Sequence, residues 1–162
     1  MPTDAIDRVI ADWTRVRPDL DPSPLALVGR VLVLARHLER GAEEVLKKHG
    51  LSFGQFDILA TLRRQEPNGG LSPTQLCANV ALTSGGMTSR LDRLEEAGWI
   101  SRQADPSDRR GVVVVLTPKG RKLIDVATAS RFEEAAQSLP KVSEAERKKL
   151  VDGLRAWLAE YS

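Results

Sequence analysis

The stretch DPSDRRGVVVVLTPKG, residues 105–120, sets two acids and the adjacent Arg109 and Arg110 ahead of a run of valines that stops at Thr117-Pro118. Paired arginines at a tight turn can do one of two things. They keep a hairpin soluble, or they make charge-assisted hydrogen bonds to phosphate oxygens. The residues before them bear on the choice. In TSGGMTSRLDRLEEAG, spaced at about 100° per residue, Met87, Leu91 and Leu94 fall together on one side of a helix. Gly85, Ser89, Asp92, Arg93 and Glu96 lie opposite. Gly85 and Gly86 are poor helix formers, each costing about 1 kcal/mol relative to alanine. Either the helix starts loosely, or the missing side chains let its backbone approach DNA. In the second reading Ser84, Gly85 and Gly86 line the approach, and Thr88, Ser89 and Arg93 reach base edges or phosphates. Because a helix pair and a charged hairpin follow one another in the chain, the second reading is preferred.

Other chemistries find little support. No glycine-rich phosphate loop follows a strand, no G-x-S-x-G is present, and no nucleophile–base pair stands out, so no catalytic residue and no cofactor are expected. His37 and His49 are too far apart for a paired helical metal site, and Asp105 and Asp108 suit local turn contacts better than a cation, so no metal is expected. Cys77, the single cysteine, could sense oxidants, but its place in the first helix of the pair suits a small buried residue. A helical interaction module using only the terminal helices is a further alternative, and it leaves the wing arginines unexplained.

At 162 residues the chain reads as one domain, 1–162, with an ordinary hydrophobic content of 41%. The formal charge is only +2, yet residues 83–122 hold eight Lys and Arg against five Asp and Glu, while no other segment has a basic surplus. No apolar run nears the ~20 residues of a membrane span, so no membrane partner is expected. The acidic, amphipathic start does not read as a signal peptide, and a lone cysteine suits a reducing interior, so the expected location is cytoplasmic.

The elements that must hold these residues are nearly all helical. An amphipathic segment at 4–16 carries Ile6, Val9, Ile10 and Trp13 on one side. After RPDLDPSP, Ser23 as N-cap and Pro24 in the first turn open a long helix that Gly50 ends. Ser52 with Gln55 forms a capping box for a third helix, ending before PNGG; Ser72, Pro73 and Gln75 begin a short fourth. Thr83 caps the helix at 84–97, which Gly98 closes. Two helices joined by a short link make a helix-turn-helix, and strands at 99–104 and 111–116 add a hairpin wing. Thr117-Pro118 opens a helix to about 139, and Ser143 with Glu146 caps a last one bearing Leu150, Leu154, Trp157, Leu158 and Tyr161 on one face. The expected fold is mainly α: a winged helix-turn-helix with a small β-wing at 52–116, flanked by long N- and C-terminal dimerisation helices at 4–49 and 118–161. Arg90 lies about 60° from Met87 and about 100° from Leu91, beside the buried stripe, where a guanidinium needs a partner. Asp57, one turn into the third helix, is the expected one.

The stretch LSPTQLCANVALTSGGMTSRLDRLEEAGWISRQADPSDRRGVVVVLTPKG resembles the core of the MarR family of bacterial transcription regulators, through its D-x-x-D-R-R wing, the following V-x-L-T-P-K-G and the recognition helix TSRLDRLEEAGWI. The resemblance implies a homodimer with interleaved N- and C-terminal helices, each subunit offering one winged helix to a pseudo-palindromic site on double-stranded DNA. The additional N-terminal helix with Trp13, then RPDLD and SPLALVGR, is similar to the urate-responsive branch. That likeness implies a ligand site of Trp13, Asp57 and Arg90, with a further polar residue near Gln65. The expected function is a repressor released by a small anionic ligand, urate-like, aromatic or carboxylate. A redox-responsive regulator acting through Cys77, or one answering to a tricarboxylate or phenolic ligand, is the alternative.

Overall fold

The computed structural model describes residues 3–66, 69–80, 84–105 and 111–161. In order along the chain it has α1 (Ala5–Val16), α2 (Leu25–Lys47), α3 (Phe53–Gln65), α4 (Pro73–Asn79), α5 (Ser84–Glu96), β1 (Ile100–Ala104), β2 (Val112–Leu116), α6 (Pro118–Gln137) and α7 (Glu144–Leu158), with a 3-10 turn at Ala159–Tyr161. The mainly helical winged helix-turn-helix expected from the sequence is what forms.

Local capping chemistry accounts for most helix starts. Ser52 with Gln55, Ser72 with Gln75 and Ser143 with Glu146 each form reciprocal capping boxes, satisfying two donors that the first turn would otherwise leave open. Asp4 and Asp7 do the same for α1. The expectation for α2 needs correcting. Ser23 does not cap it, and the helix begins at Leu25 after Pro24 with no side-chain cap. Instead the backbone N–H and the hydroxyl of Ser23 both donate to the Asp21 carboxylate, each at 2.9 Å. A charged acceptor two residues back outcompetes the helix for the serine.

The core lies under the winged part. Leu46 from the end of α2, Ile58, Leu59 and Leu62 of α3, Leu76 of α4, and Met87, Leu91 and Leu94 of α5 pack with Ile100, Val114 and Ile124. The stripe read from the sequence for α5 is therefore the buried one. β1 and β2 are antiparallel, pairing Ile100 with Leu116 through Ala104 with Val112, and Leu71 adds a bridge to Val114. At the other end, Arg30 of α2 reaches both cap carboxylates of α1, with Nε donating to Asp4 at 2.8 Å and Nη2 to Asp7 at 2.6 Å. The cap backbone N–H and the guanidinium together hold the Asp7 carboxyl below its ordinary range. Gly29 lets Ile6 sit close, since a Cβ there would come within 3.0 Å of the Ile6 side chain.

The LTPKG segment welds three elements. Gly98 ends α5 in the left-handed region, and Trp99 N–H returns to the Leu94 carbonyl at 3.0 Å. Thr117 then accepts from Gly120 N–H at 3.0 Å, donates its hydroxyl to the Gly98 carbonyl at 2.7 Å, and donates its own N–H to the Trp99 carbonyl at 3.0 Å. Lys119 Nζ covers the Ala97 carbonyl at 2.8 Å. The carbonyls of Ala97, Gly98 and Trp99, which follow α5, are thus satisfied by Thr117 and Lys119 at the start of α6. Gly120 makes that approach possible, because a Cβ at this position would stand 1.9 Å from the Trp99 carbonyl oxygen. Gly120→Ala is accordingly expected to destabilise the fold by about 3 kcal/mol. Denaturant unfolding checks this, and a variant within about 0.5 kcal/mol of the parent would contradict the junction.

Candidate nucleic-acid interface

Helix α5 presents Thr88, Ser89, Asp92, Arg93 and Glu96 to solvent while its other side is sealed in the core. Ser84 and Gly85 belong to its first turn, their side chains lying outside the described set. Gly86 is partly buried and faces Arg90: a Cβ on it would meet Nη1 at 3.2 Å. Its missing side chain therefore makes room for an arginine of its own helix. Arg93 pairs with no carboxylate among the described residues, so its charge is available on the exposed face. Arg109 and Arg110 lie outside the described residues; β1 and β2, which lead to and from them, are paired along their full length.

Sequence reasoning passed over Arg102. From β1 it donates its backbone N–H to Glu95 at 2.9 Å, Nη1 to the same carboxylate at 2.5 Å and Nη2 to Asp92 at 2.7 Å. The backbone N–H and then the guanidinium of Arg102 lower the Glu95 carboxyl below its usual value. A signal for this pairing was available in the alternation of the strand, but seven and ten residues separate the partners, and only the turn at Gly98 brings them together.

The three residues assigned to a ligand by resemblance sit on two separate patches of the chain. No hydrogen bond or ion pair joins Asp57 of α3 to Arg90 of α5 among the described residues. The expected pairing is corrected: the Arg90 guanidinium lies over the first turn of α3, where a Cβ on Gly54 would be 3.3 Å from its Nε. Partial burial raises the Asp57 carboxyl above its ordinary range, and the positive charge of Arg64 offsets part of that. Trp13 is half-exposed and lines a shallow apolar hollow with Leu20, Asp21, Pro22, Pro24 and Leu25 at the α1–α2 corner. Gln65 is partly buried at the end of α3.

A larger groove, of about 560 Å³, runs between α3 and α6. Phe53, Phe56 and Phe132 supply its apolar walls, and Arg63, Arg64 and Arg131 its charge. Arg63 is spoken for by Asp125 at 2.7 Å and Glu66 at 2.8 Å, and Arg131 by Glu134 at 2.5 Å, whereas Arg64 bonds only the Thr61 hydroxyl, at 2.8 Å. Cys77 is half-buried and packed against the core. Among the described residues, no group of three or more His, Cys, Asp or Glu could hold a metal, and no helix is long and apolar enough to cross a membrane.

A family model described as the MarR family matches residues 49–111, from just after α2 to the residue before β2. The multiple antibiotic resistance protein MarR of Salmonella typhimurium is 30% identical over 115 residues, covering 70% of this chain and 78% of that protein. The chain belongs to the MarR family. Among its MarR-family relatives, the HTH-type transcriptional regulator PecS of Dickeya dadantii is 36% identical over 142 residues, 88% of this chain and 86% of that one. BpsR of Bordetella bronchiseptica, whose DNA binding is regulated by 6-hydroxynicotinic acid, superposes with a TM-score of 0.71 at 25% identity, covering 82% of this chain and 94% of that chain.

Because burial raises the folded-state value of Asp57, the native protein binds more protons than the unfolded chain between the unfolded and folded values. Stability then falls as pH rises through that window, and the penalty is complete above it. Asp57→Asn is expected to unfold at a slightly higher temperature than the parent at pH 7, the gain disappearing below about pH 4. Parallel melting curves at the two pH values test the sign.

Proposed function

We propose that this MarR-family regulator binds a pseudo-palindromic promoter site as a homodimer, represses the adjoining gene, and releases the site when a small anionic molecule binds. One observation carries the DNA reading: the exposed side of α5 offers Thr88, Ser89 and an Arg93 with no partner among the described residues, while Met87, Leu91 and Leu94 are sealed in the core and Arg102 of β1 fastens Asp92 and Glu95. A helix held that rigidly can enter a major groove with its polar face, and the hairpin carrying Arg109 and Arg110 would reach flanking phosphates. The homodimer is supported by apolar surface that one chain leaves uncovered. Leu34 of α2 is 58% exposed and Leu158 of α7 is 67% exposed, in line with Leu27, Leu38, Leu150 and Leu154. Half-sites about 34–36 Å apart would then match successive grooves.

For the ligand, the urate-type reading uses Trp13, Asp57 and Arg90; the half-exposed Trp13 and an Arg90 with no hydrogen-bond or ion-pair partner among the described residues support it. The groove between α3 and α6 favours a second seat. Its phenylalanines and Arg64 suit a small aromatic acid, the class to which the effector of BpsR belongs.

Two experiments test these readings. Titrating labelled duplex DNA at several salt concentrations should give steep salt dependence, and Arg109→Ala or Arg110→Ala should each flatten the log–log slope by about one unit while weakening all sequences alike. An unchanged slope would make the hairpin a solubilising tip. Adding urate, aconitate or salicylate to the complex should release DNA from the parent. Loss of release in Asp57→Ala and Arg90→Ala supports the first seat, and loss in Arg64→Ala alone supports the second; release unaffected in all three rejects both.

A further inference from the structure

Helix α5 carries three acids, Asp92 and Glu96 exposed and Glu95 half-buried. Asp92 is beside Arg93 in sequence and one turn from Ser89, on the face that would meet DNA, and Glu95 borders it. A carboxylate there repels phosphate oxygens. The side chain that answers both is Arg102, more buried than either acid at 29% exposure against 51% for Asp92 and 37% for Glu95. It approaches from β1, behind the recognition helix, and uses separate nitrogens for the two carboxylates. Three hydrogen bonds from one residue of the wing strand to one helix leave little freedom between them.

We infer that Arg102 is a positioning residue for DNA binding: it locks the wing strand to the recognition helix and screens Asp92 and Glu95 from the phosphate backbone. The inference rests on the DNA reading above. It asks more of Arg102 than a scaffold role, because screening is electrostatic and a scaffold is not. Without the guanidinium, two carboxylates are released next to Arg93, and Glu96, which has no partner among the described residues, already adds a third negative charge at the end of the helix. Lysine is a poor substitute, since one ammonium cannot fork to two carboxylates held by different nitrogens.

The test compares Arg102→Gln, Arg102→Lys and the triple variant Arg102→Gln/Asp92→Asn/Glu95→Gln, using the full chain and a mixed-sequence fluorescent duplex of about 30 base pairs, whose binding is governed by charge. Arg102→Gln is expected to bind about tenfold more weakly than the parent near 50 mM salt, with the deficit shrinking as salt screens the freed acids. Arg102→Lys should fall between them. The triple variant should recover most of the lost affinity, because the freed acids are gone, and any remaining deficit measures the tether. A triple variant as weak as Arg102→Gln would leave only a scaffold role and overturn the screening. Equal binding by Arg102→Gln and the parent would overturn the whole inference. Should Arg102→Gln prove unfolded by circular dichroism, Asp92→Asn/Glu95→Gln in the native background decides: affinity at or above the parent's supports screening, and weaker affinity refutes it. A parent that binds no duplex at any salt would instead remove the DNA reading, and this inference with it.

Discussion

The architecture depends on the contact between the first turn of α6 and the last turn of α5. Thr117 serves as cap for one helix and as hydrogen-bond donor to the carbonyl that ends the other. Gly120 removes the one Cβ that would keep them apart. Through this junction the orientation of the recognition helix is tied to α6, which packs along α2 and α3. The tie consists of one backbone hydrogen bond, Thr117 N–H to the Trp99 carbonyl, and two side-chain ones, from the Thr117 hydroxyl and Lys119 Nζ to the Gly98 and Ala97 carbonyls. Movement of the start of α6 is therefore passed to the segment that ends α5. That is a mechanical reason why a molecule lodged between α3 and α6 could be felt at a DNA-binding surface.

Charge is handled differently in the two halves of the chain. Around α1, Arg30 turns two capping carboxylates into a docking clamp, so one set of acids both starts a helix and fastens it. Around α3 and α6, Arg63 and Arg121 share Glu66, and Arg63 also takes Asp125. These pairs are mostly exposed, and exposed pairs contribute little stability one by one. Apart from the local Arg63–Glu66 pair, their value lies in register, because each joins elements far apart in sequence. Arg64, Arg90 and Arg93, which pair with no carboxylate among the described residues, are the cations the proposed function uses. Arg90 lies over the first turn of α3, Arg64 belongs to its last turn, and Arg93 stands on the outer face of α5.

Apolar surface is arranged just as unevenly. The winged part buries its leucines almost completely, whereas α1, α2 and α7 leave many apolar side chains in contact with water. Helix α7 packs little against the rest of its own chain. A segment with good caps and a leucine stripe but no cover within the chain is the pattern expected of helices that close against a second copy.

The sequence by itself determined what short-range chemistry determines. Capping boxes at Ser52, Ser72 and Ser143 involve partners three residues apart, so their geometry follows from local backbone preference. The buried stripe of Met87, Leu91 and Leu94 follows from helical period alone. The tertiary structure decided every point where the partner came from elsewhere or where two local options competed. Ser23 gave up its cap because Asp21 offered a stronger acceptor. Arg90 settled against Gly54 rather than Asp57, since a helical wheel gives direction around one axis but not height along its neighbour. Arg102 found Asp92 and Glu95 only because Gly98 reverses the chain between them. Local preferences act over one or two turns of backbone, and long side chains choose among partners that only packing brings within reach.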